Sequence, residues 1–158
     1  MTYDDIWHRL ETIYETGEAK AIARYVLDVR FGMSATDIYC GKVTQLSAED
    51  TNKLEKIIAR LEKSEPVQYV LGTAEFAGRT FHVAPGVLIP RPETEELVYA
   101  ALKIIQEDNI KSVMDIGTGS GIIPVTISIK CKKKLSVHAT DISEAALDIA
   151  KSNAIQHN

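Results

Sequence analysis

The 158-residue chain is 45% hydrophobic and 25% charged, a balance that is typical of folded globular proteins and argues against disorder. Its formal net charge of −4 argues against a broad basic surface for nucleic acid. No apolar run approaches the roughly 20 residues that a membrane span needs, and the N-terminus shows no secretory signal. The distant cysteines Cys40 and Cys131 are typical of idle thiols in a cytoplasmic protein. The histidines show no metal-ligand spacing, so no metal site is predicted.

Residues 1–72 favour a small bundle of helices joined by short loops. Apolar residues recur at helical spacing between residues 2 and 16, where Thr2 and Asp5 resemble a capping pair and Gly17 is expected to end the helix. The helices that follow are predicted over residues 18–31, 34–39, 47–61 and 66–71.

The pattern then changes from helical to extended. Residues 75–83 form two aromatic-rich arms around Gly78, which predicts a β-hairpin. After a further extended piece, Pro92 suits the first turn of a helix that is expected to end at residues 108–109. The stripe that this helix is expected to bury consists of Leu97, Ala101, Ile104 and Ile105.

A glycine-rich stretch follows a short apolar run. Residues 112–116 predict a buried strand, and residues 122–130 predict a helix that opens directly after the glycines. Such a unit presents backbone N–H groups and the positive end of a helix to a ligand. The spacing G-x-G-x-G differs from the dinucleotide fingerprint, whose third glycine comes at the sixth position. It resembles motif I of the S-adenosylmethionine-dependent methyltransferases, and a plain tight turn is the alternative.

The next predicted strand, residues 135–141, ends in an acid. Asp141 follows Gly121 at close to the roughly 20-residue offset that is expected of a ribose-binding acid. A carboxylate at this place can accept hydrogen bonds from both ribose hydroxyls. The alternative for Asp141 is an acid at the start of the last helix, which Ser143 is expected to cap.

Residues 68–72, Glu75, Phe76, Phe81 and residues 88–95 together resemble the HemK family, the protein N5-glutamine methyltransferases that act on peptide chain release factors. The string Ile-Pro-Arg-Pro-Glu-Thr-Glu at residues 89–95 is more specific than the glycine loop. The resemblance covers the whole chain and implies an α/β fold. It implies a helical bundle for substrate docking at residues 1–72, a β-hairpin linker at 73–91, and the first part of a Rossmann-like class I methyltransferase domain at 92–158.

The same resemblance implies S-adenosyl-L-methionine as cofactor and release factors as protein substrate, without direct contact to nucleic acid or membrane. The loop that would hold the methionine part of the cofactor consists of Gly117, Thr118, Gly119, Ser120 and Gly121. Asp141 would hold the ribose, and Asp115 would orient the loop or the cofactor's amino group. Arg91, Glu93 and Thr94 would close over the active site, in roles that the sequence does not specify.

The chain departs from the family in one respect. The Asn-Pro-Pro-Tyr motif that grips the substrate amide in the family does not occur, so the catalytic residues stay unassigned. We therefore expect an N-terminal fragment of a longer enzyme that transfers no methyl group alone. We also expect its two strands to have open edges, leaving residues from about 112 onward poorly ordered or completed by another copy of the chain. The alternatives are an adenine-N6 nucleic-acid methyltransferase and a helical protein-docking module.

Overall fold

The computed structural model describes residues 1–157 and divides the chain into a first compact unit, Met1–Leu71, and a second that begins at Gly72. The first unit is a bundle of helices, as predicted. Its elements are α1 (Tyr3–Leu10), α2 (Thr16–Phe31), α3 (Ala35–Tyr39), a 3₁₀ turn (Lys42–Gln45), α4 (Ala48–Leu61) and α5 (Val67–Leu71).

Polar side chains fix the start of the helices in this unit. The Thr2 hydroxyl accepts the Asp5 N–H while the Asp5 carboxylate accepts the Thr2 N–H, so the predicted capping pair is confirmed. Ser47 caps α4 by accepting the N–H of Asp50. Each such bond satisfies a backbone donor that has no partner inside the helix.

The end of the first helix was predicted wrongly. Helix α1 already stops at Leu10. Gly17 therefore does not end α1 but lies in the first turn of α2. The N–H groups of Ile13 and Tyr14 both donate to the Leu10 carbonyl, at 2.9 Å each, which turns the chain. The Tyr14 hydroxyl then donates to the carbonyl of Leu61. Tyr14 thus has the sequence spacing of an α1 residue, but it lies in the turn after α1 and packs against the core from there.

The first unit buries a continuous apolar core. Its most enclosed side chains come from three helices and are Ile6, Leu10, Val26, Leu27, Leu54, Ile58 and Leu61. On the outside, the Arg9 guanidinium of α1 bridges to α4. It donates to Glu55 at 2.7 Å and to both carboxylate oxygens of Glu62 at 2.9 and 3.1 Å.

The second unit begins with the hairpin that the sequence predicted. Its elements are β1 (Thr73–Phe76), β2 (Arg79–His82), α6 (Pro92–Glu107), β3 (Ser112–Ile116), α7 (Ile122–Lys130), β4 (Ser136–Thr140) and α8 (Glu144–Gln156). Strands β1 and β2 pair antiparallel around Ala77 and Gly78, both with positive φ, as a type I′ turn requires. The Glu95 carboxylate accepts the Ala77 N–H at 2.8 Å and holds that turn on α6.

The hairpin contributes to the core of the second unit. Phe76 and Phe81 are buried in one cluster with residues of α6 and α7, such as Val98 and Ile122. Their rings meet edge to face with centroids 6.3 Å apart. The boundaries of a separate linker at residues 73–91 stay a prediction.

Strands β3 and β4 run parallel, with Ser112 opposite Ser136 and Ile116 opposite Thr140, and α7 connects them. The predicted strand at residues 112–116 and the predicted helix at 122–130 are both confirmed. In the described part of the chain β3 pairs with β4 alone, so each strand has one unpaired edge.

The buried stripe of α6 differs from the predicted one. Val98, Leu102 and Ile105 are buried, whereas Leu97 and Ile104 are more than half exposed. The exposed side of α6 lines an apolar cleft of about 350 Å³ beside β3. The prediction failed because two sides of α6 carry apolar residues and only one of them is covered. No helix within residues 1–157 has the length and apolarity to cross a membrane.

Candidate functional site

The glycine loop and the end of β4 meet at the carboxyl edge of the parallel strands. The N–H groups of Gly117 and Thr118 both donate to the carbonyl of Thr140, at 2.8 and 2.9 Å. Within the loop, the Gly121 N–H donates to the Thr118 carbonyl at 2.9 Å. The two strands therefore deliver the loop and the acid that follows β4 to one place, where ligands commonly bind in α/β sheets.

Asp141 joins the loop to the last helix. One carboxylate oxygen accepts the Ser143 N–H at 2.9 Å, and the other accepts the Gly119 N–H at 2.8 Å. These backbone hydrogen bonds, led by that from Ser143, hold the pKa of Asp141 below its ordinary value. Asp141 thus accepts a hydrogen bond at the start of α8 and also one from the glycine loop. An ionised carboxylate offers about four acceptor positions, so each oxygen keeps capacity for a ligand hydroxyl.

Two polar atoms beside the loop are enclosed and have no hydrogen-bond partner in the described chain. They are Oδ2 of Asp115, at the end of β3, and the hydroxyl of Thr118, which is buried in the loop. An enclosed polar atom without a partner is costly unless a bound molecule supplies one. The two atoms therefore suit a ligand that brings an amino or a hydroxyl group to the loop.

Gly121 lies against Ala150 of α8. A Cβ atom at this glycine would lie 2.8 Å from Cβ of Ala150 and 3.0 Å from its Cα. Gly121 also has φ of 75° as the residue that precedes α7. A glycine is needed here because both the backbone angle and the space exclude a side chain.

The sequence prediction missed Asn153. This residue of α8 is fully buried, and its carboxamide bonds to the hairpin and to the glycine loop. The pattern held a signal, since Asn153 continues the buried spacing of Ala146 and Ala150. A polar residue on the buried stripe of a helix needs partners, and here these partners include the loop.

The residues predicted to close over the site lie at the start of α6. Arg91 precedes α6 as its N-cap and is exposed, as is Glu93, and Thr94 donates its N–H to the Arg91 carbonyl. Within residues 1–157 no hydrogen bond joins their side chains to the glycine loop. Residues 1–157 also contain no group of three or more His, Cys, Asp or Glu that could hold a metal ion.

The parallel pair of β3 and β4, the helix α7 that connects them and the G-x-G-x-G loop bonded to Asp141 form the start of a Rossmann-like domain, and the family match assigns this domain to the methyltransferases. Residues 92–158 match the family model described as ribosomal protein L11 methyltransferase (PrmA). Residues 5–72 match a second model, described as the PrmC N-terminal domain.

Relatives from three bacteria match most of the chain. The chain is 49% identical over 144 residues to the release factor glutamine methyltransferase of Bacteroides thetaiotaomicron, which covers 91% of this chain and 51% of that protein. The proteins of the same name from Coxiella burnetii and Staphylococcus aureus are 37% and 41% identical, over 97% and 84% of this chain and 54% and 46% of theirs. The chain belongs to the release factor glutamine methyltransferase family, as the sequence predicted, and spans about half the length of these relatives.

Proposed function

We propose that the complete protein to which this chain belongs transfers a methyl group from S-adenosyl-L-methionine to the side-chain amide nitrogen of a glutamine in peptide chain release factors. The observation that carries the proposal is the bonding of the Asp141 carboxylate to the glycine loop, in a chain whose relatives are named for this activity. Because release factors act in translation, the proposed substrate also places the protein in the cytoplasm.

The residues of the loop fit this cofactor. When bound, S-adenosyl-L-methionine supplies an electrophilic methyl group on its sulfonium. Oδ2 of Asp115 has no partner in the described chain, and we assign it as the acceptor for the cofactor's ammonium group. Asp141 keeps free lone pairs for the ribose hydroxyls. The backbone of Gly119 has nothing within 4 Å of the position where a Cβ would stand, which leaves the loop open to the methionine part.

We further propose that the helical unit docks the protein substrate. Residues 5–72 match a domain model that is separate from the methyltransferase model. The unit has its own buried core and carries none of the residues predicted to bind the cofactor. A release factor that is retained by immobilised residues 1–72, but not by the same residues after heat unfolding, would support this role.

Residues 1–158 alone are proposed to transfer no methyl group, since the Asn-Pro-Pro-Tyr sequence does not occur among them. A side-chain amide is a weak nucleophile, so its positioning contributes much of the catalysis. Weak cofactor binding is expected to survive. Methylation of a release factor glutamine by these residues alone would contradict the proposal.

The open strand edges lead to a proposal about association. Strands β3 and β4 each expose one edge of unpaired backbone groups, and such edges pair readily with other chains. Residues 1–158 by themselves are therefore proposed to associate through these edges. Sedimentation should show a mass that rises with protein concentration, and a monomer at all concentrations would contradict this.

The test of the main proposal is cofactor binding and methyl transfer by the complete protein. Asp141→Ala should weaken binding of S-adenosyl-L-methionine by about tenfold or more, because hydrogen bonds to charged groups are among the stronger ones. Gly119→Val should be at least as damaging, since a side chain at φ of 55° strains the loop and fills the space before it. Asp148→Ala is the matched control, because Asp148 is an exposed acid on α8.

Calorimetry measures the affinities, and radiolabelled methyl groups identify the substrate. Unchanged affinity in Asp141→Ala would remove the assignment of the ribose-binding acid. Label on adenine in nucleic acid, instead of on a release factor glutamine, would favour the alternative of an adenine-N6 methyltransferase.

A further inference from the structure

Asn153 is a buried side chain whose hydrogen bonds extend in two directions. Its carboxamide oxygen accepts the His82 N–H at 2.7 Å. Its nitrogen donates to the His82 carbonyl at 2.9 Å and to the Ser120 carbonyl at 2.8 Å. Both donors and the acceptor oxygen are therefore used, and the opposite orientation of the amide would set its oxygen against two carbonyls.

On one side, Asn153 behaves like a neighbouring strand. It bonds both the N–H and the carbonyl of His82, the last residue of β2, and so covers the outer edge of the hairpin at that point. Gln156 and His157 add weaker anchorage, since each has a side-chain nitrogen near the Thr80 carbonyl, at 3.1 and 3.0 Å.

On the other side, Asn153 fixes a peptide of the glycine loop. The peptide that joins Ser120 to Gly121 is held at its carbonyl by Asn153 and at its N–H by the Thr118 carbonyl. A peptide plane that is bonded at both ends cannot rotate without breaking one of the two bonds. The Ser120 carbonyl is also buried with its residue, so water does not replace Asn153 as its donor.

We propose that Asn153 is a positioning residue for the cofactor loop. It sets the orientation of the Ser120–Gly121 peptide, and thereby the shape that residues 117–121 present to the cofactor, and it ties that shape to the hairpin. Its effect on cofactor affinity rests on the function proposed above, whereas its hold on the loop does not.

The test compares Asn153→Leu with Gln156→Leu in the full-length protein. Both changes remove an amide that bonds α8 to the hairpin, but only the first removes a bond to the loop. In Asn153→Leu, hydrogen exchange in residues 117–122 should quicken. The dissociation constant of S-adenosylhomocysteine, the product of the proposed reaction, should rise about tenfold. In Gln156→Leu, the exchange rates of residues 117–122 and the dissociation constant should both stay within about twofold of their wild-type values.

A kinetic measurement separates positioning from general destabilisation. The KM for S-adenosylmethionine should rise in Asn153→Leu while kcat at saturating cofactor is retained. Loop exchange and cofactor affinity equal to those of Gln156→Leu would overturn the proposal. If Asn153→Leu does not fold, Asn153→Asp is measured in the same way, because it keeps the acceptor for His82 and loses both donors. If the wild-type protein binds no S-adenosylhomocysteine, the proposed function fails, and hydrogen exchange alone decides the role of Asn153.

Discussion

The helical first unit and the mixed second unit differ in how much of their large apolar side chains is exposed. In the first, Leu10, Leu54 and Ile58 are 0% exposed. In the second, the strand residues Met114 and Ile116 are 61% and 82% exposed, although β3 is as apolar as a buried strand. Parallel strands are normally covered on both faces, so the sequence of β3 is suited to more contacts than residues 1–157 supply.

The difference shows that burial depends on what surrounds a segment as well as on its residues. An amphipathic helix needs one partner for its stripe, and the neighbouring helices of the bundle provide it. A strand of a parallel sheet needs two flanking strands and two covering layers. Strand β3 has one neighbour, β4, and its exposed side chains lie on the uncovered face. Measurements of stability and hydrogen exchange can therefore show whether the apolar residues of each unit are covered.

Hydrogen exchange should show the largest contrast between the units. The amides of α4 should exchange at least about a thousandfold more slowly than those of β3 in a dilute, monomeric sample of residues 1–158, because the strand pair has little cover. Strong protection of residues 113–116 in that monomer would show that the pair is stable alone. Protection that appears only on concentrating the sample would indicate completion by another copy.

Truncating one side chain in each unit should give the next largest difference. Leu10→Ala leaves a cavity in a closed core and should lower the free energy of unfolding of the first unit by about 2–5 kcal/mol. Ile116→Ala removes an exposed side chain and should change stability by less than about 0.5 kcal/mol. Urea unfolding followed by circular dichroism measures both, and Trp7, the sole tryptophan, reports on the first unit by fluorescence. A large loss from Ile116→Ala would mean that β3 is covered in solution.

The glycine loop of the second unit packs closely against Ala150 of α8 at Gly121. Gly121→Ala should destabilise this unit by about 2 kcal/mol more than Gly117→Ala, measured without cofactor, since only the first brings a Cβ against Ala150. The two glycines have φ of 75° and 79°, so the cost of the backbone angle cancels in the comparison. Equal losses of thermal stability would show that α8 moves away from the loop at little cost.

Local signals in the sequence predicted the elements of the candidate site well. The strand at residues 112–116 and the helix at 122–130 were placed to the residue, because the strand is a short apolar run bounded by turn residues and the helix opens directly after the glycines. The hairpin followed from Gly78, and Asp141 bonds the glycine loop, as its predicted place beside the loop requires. Its binding of a ribose stays a prediction.

Features that depend on distant partners were not predictable in the same way. The exposed side of α6 follows from which of two apolar sides finds cover, and sequence periodicity does not distinguish them. The role of Asn153 depends on β2, whose last residue is 71 positions away in sequence. The turn after Leu10 was missed because Ile13 and Tyr14 continue the helical spacing while the backbone does not.

The smallest predicted effect concerns charge on the surface of the first unit. Arg9→Met keeps the apolar stem and removes a guanidinium that bonds Glu55 of α4 and Glu62, the residue that follows α4. The pKa of Arg9 is raised by its bonds to Glu62 and Glu55, but all three side chains are about a third or more exposed. Water and salt therefore screen the pairs, and the loss should be about 0.5–1 kcal/mol, shrinking at high salt. The control is Lys151→Met in the second unit, whose partner Asp148 is 3.5 Å away and mostly exposed, and it should change nothing measurable. Equal effects of the two changes in urea unfolding would mean that the Arg9 bridge holds α1 to α4 no better than an ordinary surface ion pair.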